Sequence, residues 1–234
     1  MSPWRVVLTR EAGFNDDLAT LFSAAFTVDE VPLTMTRFDE VSLVDERLRA
    51  SADYGTFASL VVTSRRAAPY LSLCRSAVTT TCDVFTVGAA TTSALEAVGF
   101  TVTTSTTEGV ATLAPDIVNG PVLILGARHP FGDLAGALQP RLNVTSVACY
   151  ETMAATLRDE DAALLGGADA VVIAAPSAWA VAQPYVHPRT WVLVPGDSTR
   201  QAVAATHDRV VRAWGPAMAS TLRPLLEISR REKN

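Results

Sequence analysis

A pattern of apolar and small polar residues occurs twice in this chain, and it restricts the possible folds more than any other feature. Residues 59–67 read SLVVTSRRA and are followed at 86–95 by TVGAATTSAL, whereas residues 170–178 read AVVIAAPSA and are followed at 193–203 by LVPGDSTRQAV. In each copy an apolar strand leads through small polar residues into a helix, and a second strand leads into Gly-x-x-Thr at the start of another helix. The repeat predicts two similar α/β lobes facing one cleft, which is lined with helix N-termini that favour anions.

Further apolar runs alternate with helical stretches along the rest of the chain. Strands are predicted near 4–9, 58–63, 83–87, 100–104, 121–125, 143–149, 169–174, 190–194 and 209–213. The predicted helices include 14–25, 43–51, 66–73, 91–98, 131–141, 177–184, 199–206 and 217–229. Because the strands lack strict polar alternation, we expect both of their faces to be buried, as in parallel sheets flanked by helices. Gly99 is predicted to end the helix that precedes the strand at 100–104.

The composition argues against several classes of protein. The chain has 234 residues, 49% of them apolar, and a formal net charge of −5, so a nucleic acid is not an expected partner. Lys233 is the only lysine, and arginine suits bidentate carboxylate binding, although a bias in codon usage also explains the scarcity of lysine. The longest apolar tract, 168–182, is interrupted by Asp169 and Pro176 and is too short to span a membrane.

The cysteine and histidine spacings favour an intracellular protein without a metal. Cys74, Cys82 and Cys149 are odd in number and lack CxxC spacing, which is typical of free thiols in a reducing cytoplasm. The N-terminal residues do not read as a signal peptide. We found no His or Cys spacing typical of a metal site, no Walker loop and no GxGxxG motif, so neither a metal nor a cofactor is expected.

The order of the motifs resembles that of the uroporphyrinogen-III synthase family. The matching segments are VVLTRE (6–11), VVTSRRA (61–67), VGAATTSALEAVGF (87–100), VLILGARHPFGDLAGAL (122–138), VTSVACYET (144–152), VVIAAPSA (171–178) and VPGDSTRQAV (194–203). The resemblance implies two similar α/β lobes with parallel sheets flanked by helices, joined by a two-stranded linker and working without a cofactor. On this basis lobe A is predicted to comprise 1–34 plus 151–234 and lobe B 35–150, with linkers near 32–37 and 148–154.

The resemblance also implies a reaction, the cyclisation of hydroxymethylbilane to uroporphyrinogen III. Water leaves the terminal hydroxymethyl group to give an azafulvene, ring D attacks through its substituted position, and a spiro intermediate fragments and recloses with ring D inverted. The linear tetrapyrrole also closes unaided, to the uninverted isomer. The enzyme would therefore act mainly by orienting its substrate, a linear tetrapyrrole polycarboxylate, and by excluding other closures. We expect a cytoplasmic monomer with no membrane attachment.

Tyr150 is the candidate catalytic residue. It matches the family's tyrosine at the lobe junction, where its phenol, with an ordinary pKa of about 10, could donate a proton to the departing hydroxyl group. The alternative is a tyrosine that only packs the linker, with its hydroxyl bonded to backbone.

The candidate substrate-binding residues are mostly small polar residues at predicted strand ends. Thr91 and Thr199 follow Gly88 and Gly196 by three residues, and each is expected either to cap a helix or to bind a substrate carboxylate. Thr92 and Ser198 are weaker candidates of the same kind. The remaining candidates are Thr9, Arg10, Thr63, Ser64, Arg65 and Ser177, with Arg128 as a further possible carboxylate partner. For Ser177 capping alone is favoured, and for Arg66 a solvated surface position.

Two other functions remain open from the sequence. Ala174 and Ala175 stand where the family usually has hydroxyl residues, and Asp197 places an anion beside a helix N-terminus that would compete with a substrate carboxylate. These departures favour a non-catalytic tetrapyrrole-binding or regulatory module on the same scaffold. Cys74 and Cys149 suggest the other alternative, a cofactor-free racemase with one thiol in each lobe.

Overall fold

The computed structural model describes residues 4–106, 110–130 and 132–231. The chain divides into two compact units: unit 1 comprises Met1–Met35 and Met153–Asn234, and unit 2 comprises Thr36–Thr152. The division into lobe A (1–34 plus 151–234) and lobe B (35–150), made from the sequence, remains a prediction.

The secondary structure alternates between strands and helices along most of the chain. The strands are β1 (Arg5–Leu8), β2 (Thr27–Glu30), β3 (Thr34–Phe38), β4 (Phe57–Val62), β5 (Val78–Val87), β6 (Thr104–Thr106), β7 (Val122–Ala127), β8 (Val144–Ala154), β9 (Ala170–Val172), β10 (Trp191–Val194) and β11 (Val210–Arg212). The α-helices are α1 (Asp16–Ser23), α2 (Val41–Arg49), α3 (Leu71–Ala77), α4 (Ala89–Ala97), α5 (Leu134–Leu138), α6 (Asp159–Gly166), α7 (Pro176–Ala182), α8 (Asp197–Ala204) and α9 (Ala217–Arg231). Short 3-10 helices cover Arg65–Tyr70 and Val110–Leu113.

Unit 1 is built on a parallel sheet with the strand order β11-β10-β9-β1-β2. Alternate residues of each strand point to opposite faces, so Val7 and Val171 pack with the helices α6, α7 and α8. Val6 and Val172 pack on the other face with α1 and α9. The expected sheet covered by helices on both faces is therefore confirmed.

Unit 2 contains a sheet with the order β3-β8-β7-β4-β5-β6, in which β8, β7, β4, β5 and β6 are parallel. On one face Leu60 and Leu123 pack with α2, α3 and α4. On the other, Val61 and Val122 pack with α5 and with the segment around Leu113. Parallel strands present their carboxyl ends at the same edge of a sheet, which is where ligands usually bind in such folds.

Several predicted elements differ from those observed. The predicted strands and helices did not include β2, β3 or α6, because β2 (TVDE) and β3 (TMTRF) lack a continuous apolar run. The strand predicted at 100–104 lies at Thr104–Thr106 instead. The helix predicted at 66–73 begins as a 3-10 helix containing Pro69, which has no backbone N–H to donate, and continues as α3 to Ala77. The helix predicted at 131–141 is shorter, and Phe131 lies outside the described residues.

The predicted helix end at Gly99 is confirmed. Gly99 has a φ of 81°, in the left-handed region that glycine adopts without strain. Its N–H donates to the Glu96 carbonyl, and the Phe100 N–H donates to the Leu95 carbonyl, so that carbonyls of the last helical turn are satisfied. No helix in the described ranges combines the length and apolarity that crossing a membrane requires.

Candidate active site

The carboxyl end of β4 in unit 2 carries the first group of predicted site residues. The Thr63–Ser64 pair follows this strand, and Ser64 is the N-cap of the 3-10 helix Arg65–Tyr70. Its Oγ accepts a hydrogen bond of 3.3 Å from the Arg66 backbone N–H, so the capping role that the sequence suggested here is observed. Gly126 on the neighbouring strand β7 gives Thr63 room, because a Cβ there would lie 3.3 Å from the Thr63 hydroxyl.

Tyr150 of β8 lies beside Ser64, although the two are far apart in sequence. Only 4% of its surface is exposed, and its ring centroid lies 6.4 Å from that of Phe38. Burial raises the pKa of the Tyr150 phenol above its ordinary value, while a hydrogen bond with the Ser64 side chain and the charge of Arg66 partly oppose that rise. The phenol therefore remains protonated at neutral pH and is available as a donor.

The guanidinium groups that follow Ser64 differ in setting. Arg66 donates from Nε to the Thr36 hydroxyl at 2.8 Å, so the purely solvated position favoured from the sequence is wrong for this residue. The Arg65 residue is exposed at the start of the same 3-10 helix. Together with Ser64 and Tyr150, these arginines give one end of β4 a positive charge and hydroxyl donors, which suit a carboxylate.

The carboxyl end of β5 carries the second group. Gly88 has a φ of 83° and is itself the N-cap of α4, so Thr91 lies in the first turn rather than at the cap. Thr91 is buried, and its backbone N–H donates to the Gly88 carbonyl at 3.0 Å. The Thr92 hydroxyl lies 2.7 Å from that of Thr86 and donates to the Ser105 hydroxyl at 3.0 Å. Thr92 thus belongs to a chain of hydroxyl groups that joins the ends of β5 and β6.

The matching turn in unit 1 has the same order of residues but a different conformation. Gly196 is the N-cap of α8 in an extended conformation with a φ of −146°, Thr199 is buried in the first turn, and Ser198 is exposed. Asp197 pairs with Arg212 at 2.9 Å and with Arg200 at 3.4 Å. Of the two roles considered for Thr91 and Thr199, helix capping is therefore excluded, because the glycines occupy both caps, and carboxylate binding remains a prediction.

Three other predicted residues of unit 1 are held by local contacts. The Thr9 hydroxyl is buried and donates to the Val172 carbonyl at 2.5 Å. Arg10 donates to the Phe14 carbonyl at 3.0 Å, pairs with Asp17 at 2.8 Å and lies 4.6 Å from the centre of the Trp214 ring. Ser177 is exposed in the first turn of α7, whose N-cap is Ala175, so the predicted capping by Ser177 is wrong.

Sequence reasoning missed Asp39, which directly follows β3. Its carboxylate pairs with Arg47 at 2.5 Å and with Arg128 at 2.8 Å. The hydrogen bond from Arg47 is the main cause that holds the pKa of Asp39 below its ordinary value, and burial opposes it. Arg128, considered from the sequence as a substrate-binding residue, thus already has a carboxylate partner. Asp39, Arg47 and Arg128 do not form a sequence motif, because they are not adjacent in the chain.

The positions of the cysteines contradict the racemase hypothesis. The racemase hypothesis needs one thiol in each lobe, whereas Cys74 and Cys149 both lie in unit 2 and share one buried core cluster. Burial raises the pKa of each thiol to about 12, so neither is a thiolate at neutral pH. A group of three or more His, Cys, Asp or Glu residues able to hold a metal does not occur within the described part of the chain.

The chain was compared with curated protein sequences and with solved structures. A search of curated protein sequences returned no significant match. The structure resembles that of a mutant uroporphyrinogen III synthase from the extremely thermophilic bacterium Thermus thermophilus, with a TM-score of 0.67 and 17% identity over 96% of this chain and 99% of the other. It also resembles uroporphyrinogen-III synthetase from Helicobacter pylori, with a TM-score of 0.62 and 15% identity over 96% and 99% of the two chains. These likenesses show the fold.

The family of this chain is established by a sequence model of a protein family. The model described as uroporphyrinogen-III synthase HemD matches residues 16–223, which include most of both units. The resemblance inferred from the motifs is therefore confirmed: the chain belongs to the uroporphyrinogen-III synthase HemD family.

Proposed function

We propose that this chain catalyses the cyclisation of hydroxymethylbilane to uroporphyrinogen III, with loss of water and inversion of ring D. Membership of the family supports the reaction. The observation that supports the residue assignment is the register of β8, which places Tyr150 opposite Ala127 at the sheet edge where β4 ends and so brings a protonated phenol to that edge. The reaction class is a cyclising lyase of tetrapyrrole biosynthesis.

Tyr150 acts in this proposal as the general acid. Its phenol gives a proton to the terminal hydroxyl group, the carbon–oxygen bond breaks, and water leaves to form an azafulvenium cation, whose charge is balanced by the Tyr150 phenolate. Ring D then attacks through its substituted position, and the spiro intermediate fragments and recloses. The proton released when the last pyrrole regains its aromaticity returns to the phenolate, so that the catalyst is restored. The main contribution of the protein is to select which pyrrole carbon attacks.

The substrate carboxylates are proposed to bind at small polar helix starts. In unit 2 these are the 3-10 helix led by Ser64 and the helix α4 led by Gly88, with Thr63, Arg65, Thr91 and Thr92 nearby. In unit 1 they are the starts of α8 and α7, with Gly196, Ser198, Thr199 and Ser177, together with Thr9 and Arg10 after β1. Helix N-termini attract anions through their N–H groups and dipole. A linear tetrapyrrole polycarboxylate is the proposed substrate, bound by a cytoplasmic monomer without a cofactor.

One observation favours a second candidate, a tetrapyrrole-binding module without turnover. Asp197 stands in the first turn of α8 and pairs with Arg212, so this helix start already carries a carboxylate of the protein. An internal anion there lowers the affinity for a substrate carboxylate at the same place. The two candidates differ in one outcome, the isomer of the product.

The test is an isomer analysis with freshly prepared hydroxymethylbilane. The folded protein and a heat-denatured sample are incubated with the substrate, and the products are oxidised and separated as type I and type III isomers. The proposal expects type III product only with the folded protein. Type I product alone, at the rate of the denatured sample, would leave the binding module as the function.

A further inference from the structure

Strand β8 contains an irregularity at the residue before Tyr150. In its pairing with β7, Gly126 lies opposite Ala148 and Ala127 lies opposite Tyr150, so that Cys149 is an extra residue on β8. Side chains of a regular strand alternate between faces, and Cys149 and Tyr150 would then point in opposite directions. Both are instead buried in the core cluster that also contains Val147. A β-bulge of this kind redirects a side chain, here the Tyr150 phenol.

Three groups hold the backbone of this bulge. The Ala148 carbonyl accepts a hydrogen bond of 2.8 Å from the Arg47 guanidinium. The Cys149 carbonyl accepts from the Asp39 N–H at 3.0 Å, and the Tyr150 carbonyl accepts from the Arg128 N–H at 2.7 Å. Consecutive carbonyls of the bulge are therefore bonded to three residues from different parts of unit 2.

The carboxylate of Asp39 connects those three residues. It accepts hydrogen bonds from Arg47 at 2.5 Å and from Arg128 at 2.8 and 3.1 Å, and 11% of the side chain is exposed. Its backbone carbonyl accepts a further hydrogen bond of 2.5 Å from the Tyr70 hydroxyl. Charge-assisted hydrogen bonds of the kind that the carboxylate accepts are shorter and stronger than neutral ones.

We propose that Asp39 is a positioning residue that fixes the β8 bulge and thereby holds the Tyr150 phenol beside Ser64. Asp39 itself does not touch the reacting atoms and acts through Tyr150. The inference rests on the proposed function, in which Tyr150 is the proton donor. A displacement of about 1 Å at a reacting group can reduce a rate by about a hundredfold, so a residue that fixes this phenol affects turnover strongly.

A matched control separates this role from general stabilisation. In unit 1, Asp161 of α6 has a side chain that is 12% exposed and accepts hydrogen bonds from the Arg158 guanidinium at 3.0 and 3.1 Å. Its pKa is lowered from the ordinary value mainly by the hydrogen bond from Arg158. Asp161 thus resembles Asp39 in exposure and pairing but belongs to the other unit.

The first measurement follows the phenol itself and needs no substrate. Tyrosine labelled with ¹³C at Cζ gives one signal for each of the four tyrosines, and Tyr150→Phe assigns the signal of Tyr150. We expect Asp39→Asn to shift or broaden that signal and Asp161→Asn to leave it in place. A Tyr150 signal that is unchanged in folded Asp39→Asn overturns the proposal. If Asp39→Asn does not fold, Arg128→Gln is used instead, because it removes one of the two pairs and keeps the backbone N–H.

The second measurement is a double-mutant cycle on the formation of type III product. We expect Asp39→Asn to lower kcat roughly tenfold or more in the wild-type background and to have little further effect in Tyr150→Phe, since coupled residues are not additive. Equal effects in both backgrounds overturn the proposal. If the wild-type protein forms only type I product, the proposed function is wrong. The ¹³C signal then still tests whether Asp39 positions the Tyr150 side chain.

Discussion

At the scale of single residues, the environment of Tyr150 determines what its hydroxyl group can do. The ring is buried against Phe38, which raises the pKa of the phenol and keeps it protonated, while the Ser64 side chain partly opposes that rise. Ser64 in turn accepts from the Arg66 backbone N–H. This arrangement gives a weak acid in a fixed orientation, which suits a reaction that needs one proton and a strict geometry.

Replacing Tyr150 by Phe tests this role. The change removes the hydroxyl and keeps the packing, so we expect kcat for type III product to fall by roughly 10- to 100-fold while some type III product is still formed, because orientation of the substrate is retained. Initial rates are compared with those of Tyr185→Phe, a tyrosine that is 43% exposed in unit 1. An unchanged rate in Tyr150→Phe contradicts the assignment.

Single residues also show what the sequence could and could not provide. Tyr150 and Ser64 were identified separately from motifs, and the structure brings them together. Asp39 was missed because Arg47 lies eight residues away on α2 and Arg128 lies far away in sequence, and an ion pair between such positions leaves no local sequence pattern. Helix capping, one of the two roles left open for Thr91 and Thr199, could not be excluded from the sequence, because spacing alone does not reveal that a glycine already occupies the N-cap.

At the scale of elements, the two glycine-led helices have the same sequence pattern and different backbones. Gly88 before α4 has a φ of 83°, whereas Gly196 before α8 has a φ of −146°. A Cβ added at either glycine would have no atom within 4 Å, so neither position excludes a side chain by a clash with its neighbours. The two glycines therefore differ in backbone conformation and not in the space around them.

This difference in backbone conformation predicts that alanine destabilises the protein more at Gly88 than at Gly196. Gly88 combines a φ of 83° with a ψ of 142°, a conformation that side chains disfavour, so we expect Gly88→Ala to lower the free energy of unfolding by about 1–3 kcal/mol. Gly196→Ala keeps an allowed conformation and reduces the freedom of the unfolded chain, so we expect little loss or a small gain. Thermal unfolding of the two variants and the wild type measures this difference. Equal losses in the two variants contradict the described backbone of Gly88.

At the scale of the whole molecule, much of the architecture was predictable from the repeat. The buried strands β4, β7, β9 and β10 were expected, because parallel strands covered on both faces read as continuous apolar runs. β2 and β3 escaped prediction, since edge strands such as Thr27–Glu30 carry polar residues and resemble loops in sequence. The bulge in β8 could not be predicted from the sequence either, because it is defined by the register of β8 with β7.

Each unit contains a paired carboxylate that links stability to pH. Asp39 in unit 2 and Asp161 in unit 1 both have a pKa below the ordinary 3.8, chiefly through hydrogen bonds from arginine. Such a group stabilises the folded state above its unfolded pKa, and that stabilisation is lost as the pH falls through the lower folded pKa. Both units are therefore expected to lose stability below about pH 4.

Asparagine variants test this dependence. Between about pH 5 and about pH 2, we expect the midpoint of urea unfolding to fall less steeply in Asp39→Asn and in Asp161→Asn than in the wild type, because the titrating group is absent. The variants are also less stable at neutral pH, where each loses its ion pairs. Curves for the variants that run parallel to the wild-type curve over this interval would contradict the lowered pKa values.

Whether this chain directs ring closure is measured by the ratio of type III to type I product as the protein concentration is raised at a fixed amount of hydroxymethylbilane. We expect this ratio to rise with the protein concentration, and to rise less steeply for Tyr150→Phe than for the wild type. A ratio that stays at the value of the spontaneous reaction at every protein concentration would contradict the claim that this chain directs ring closure.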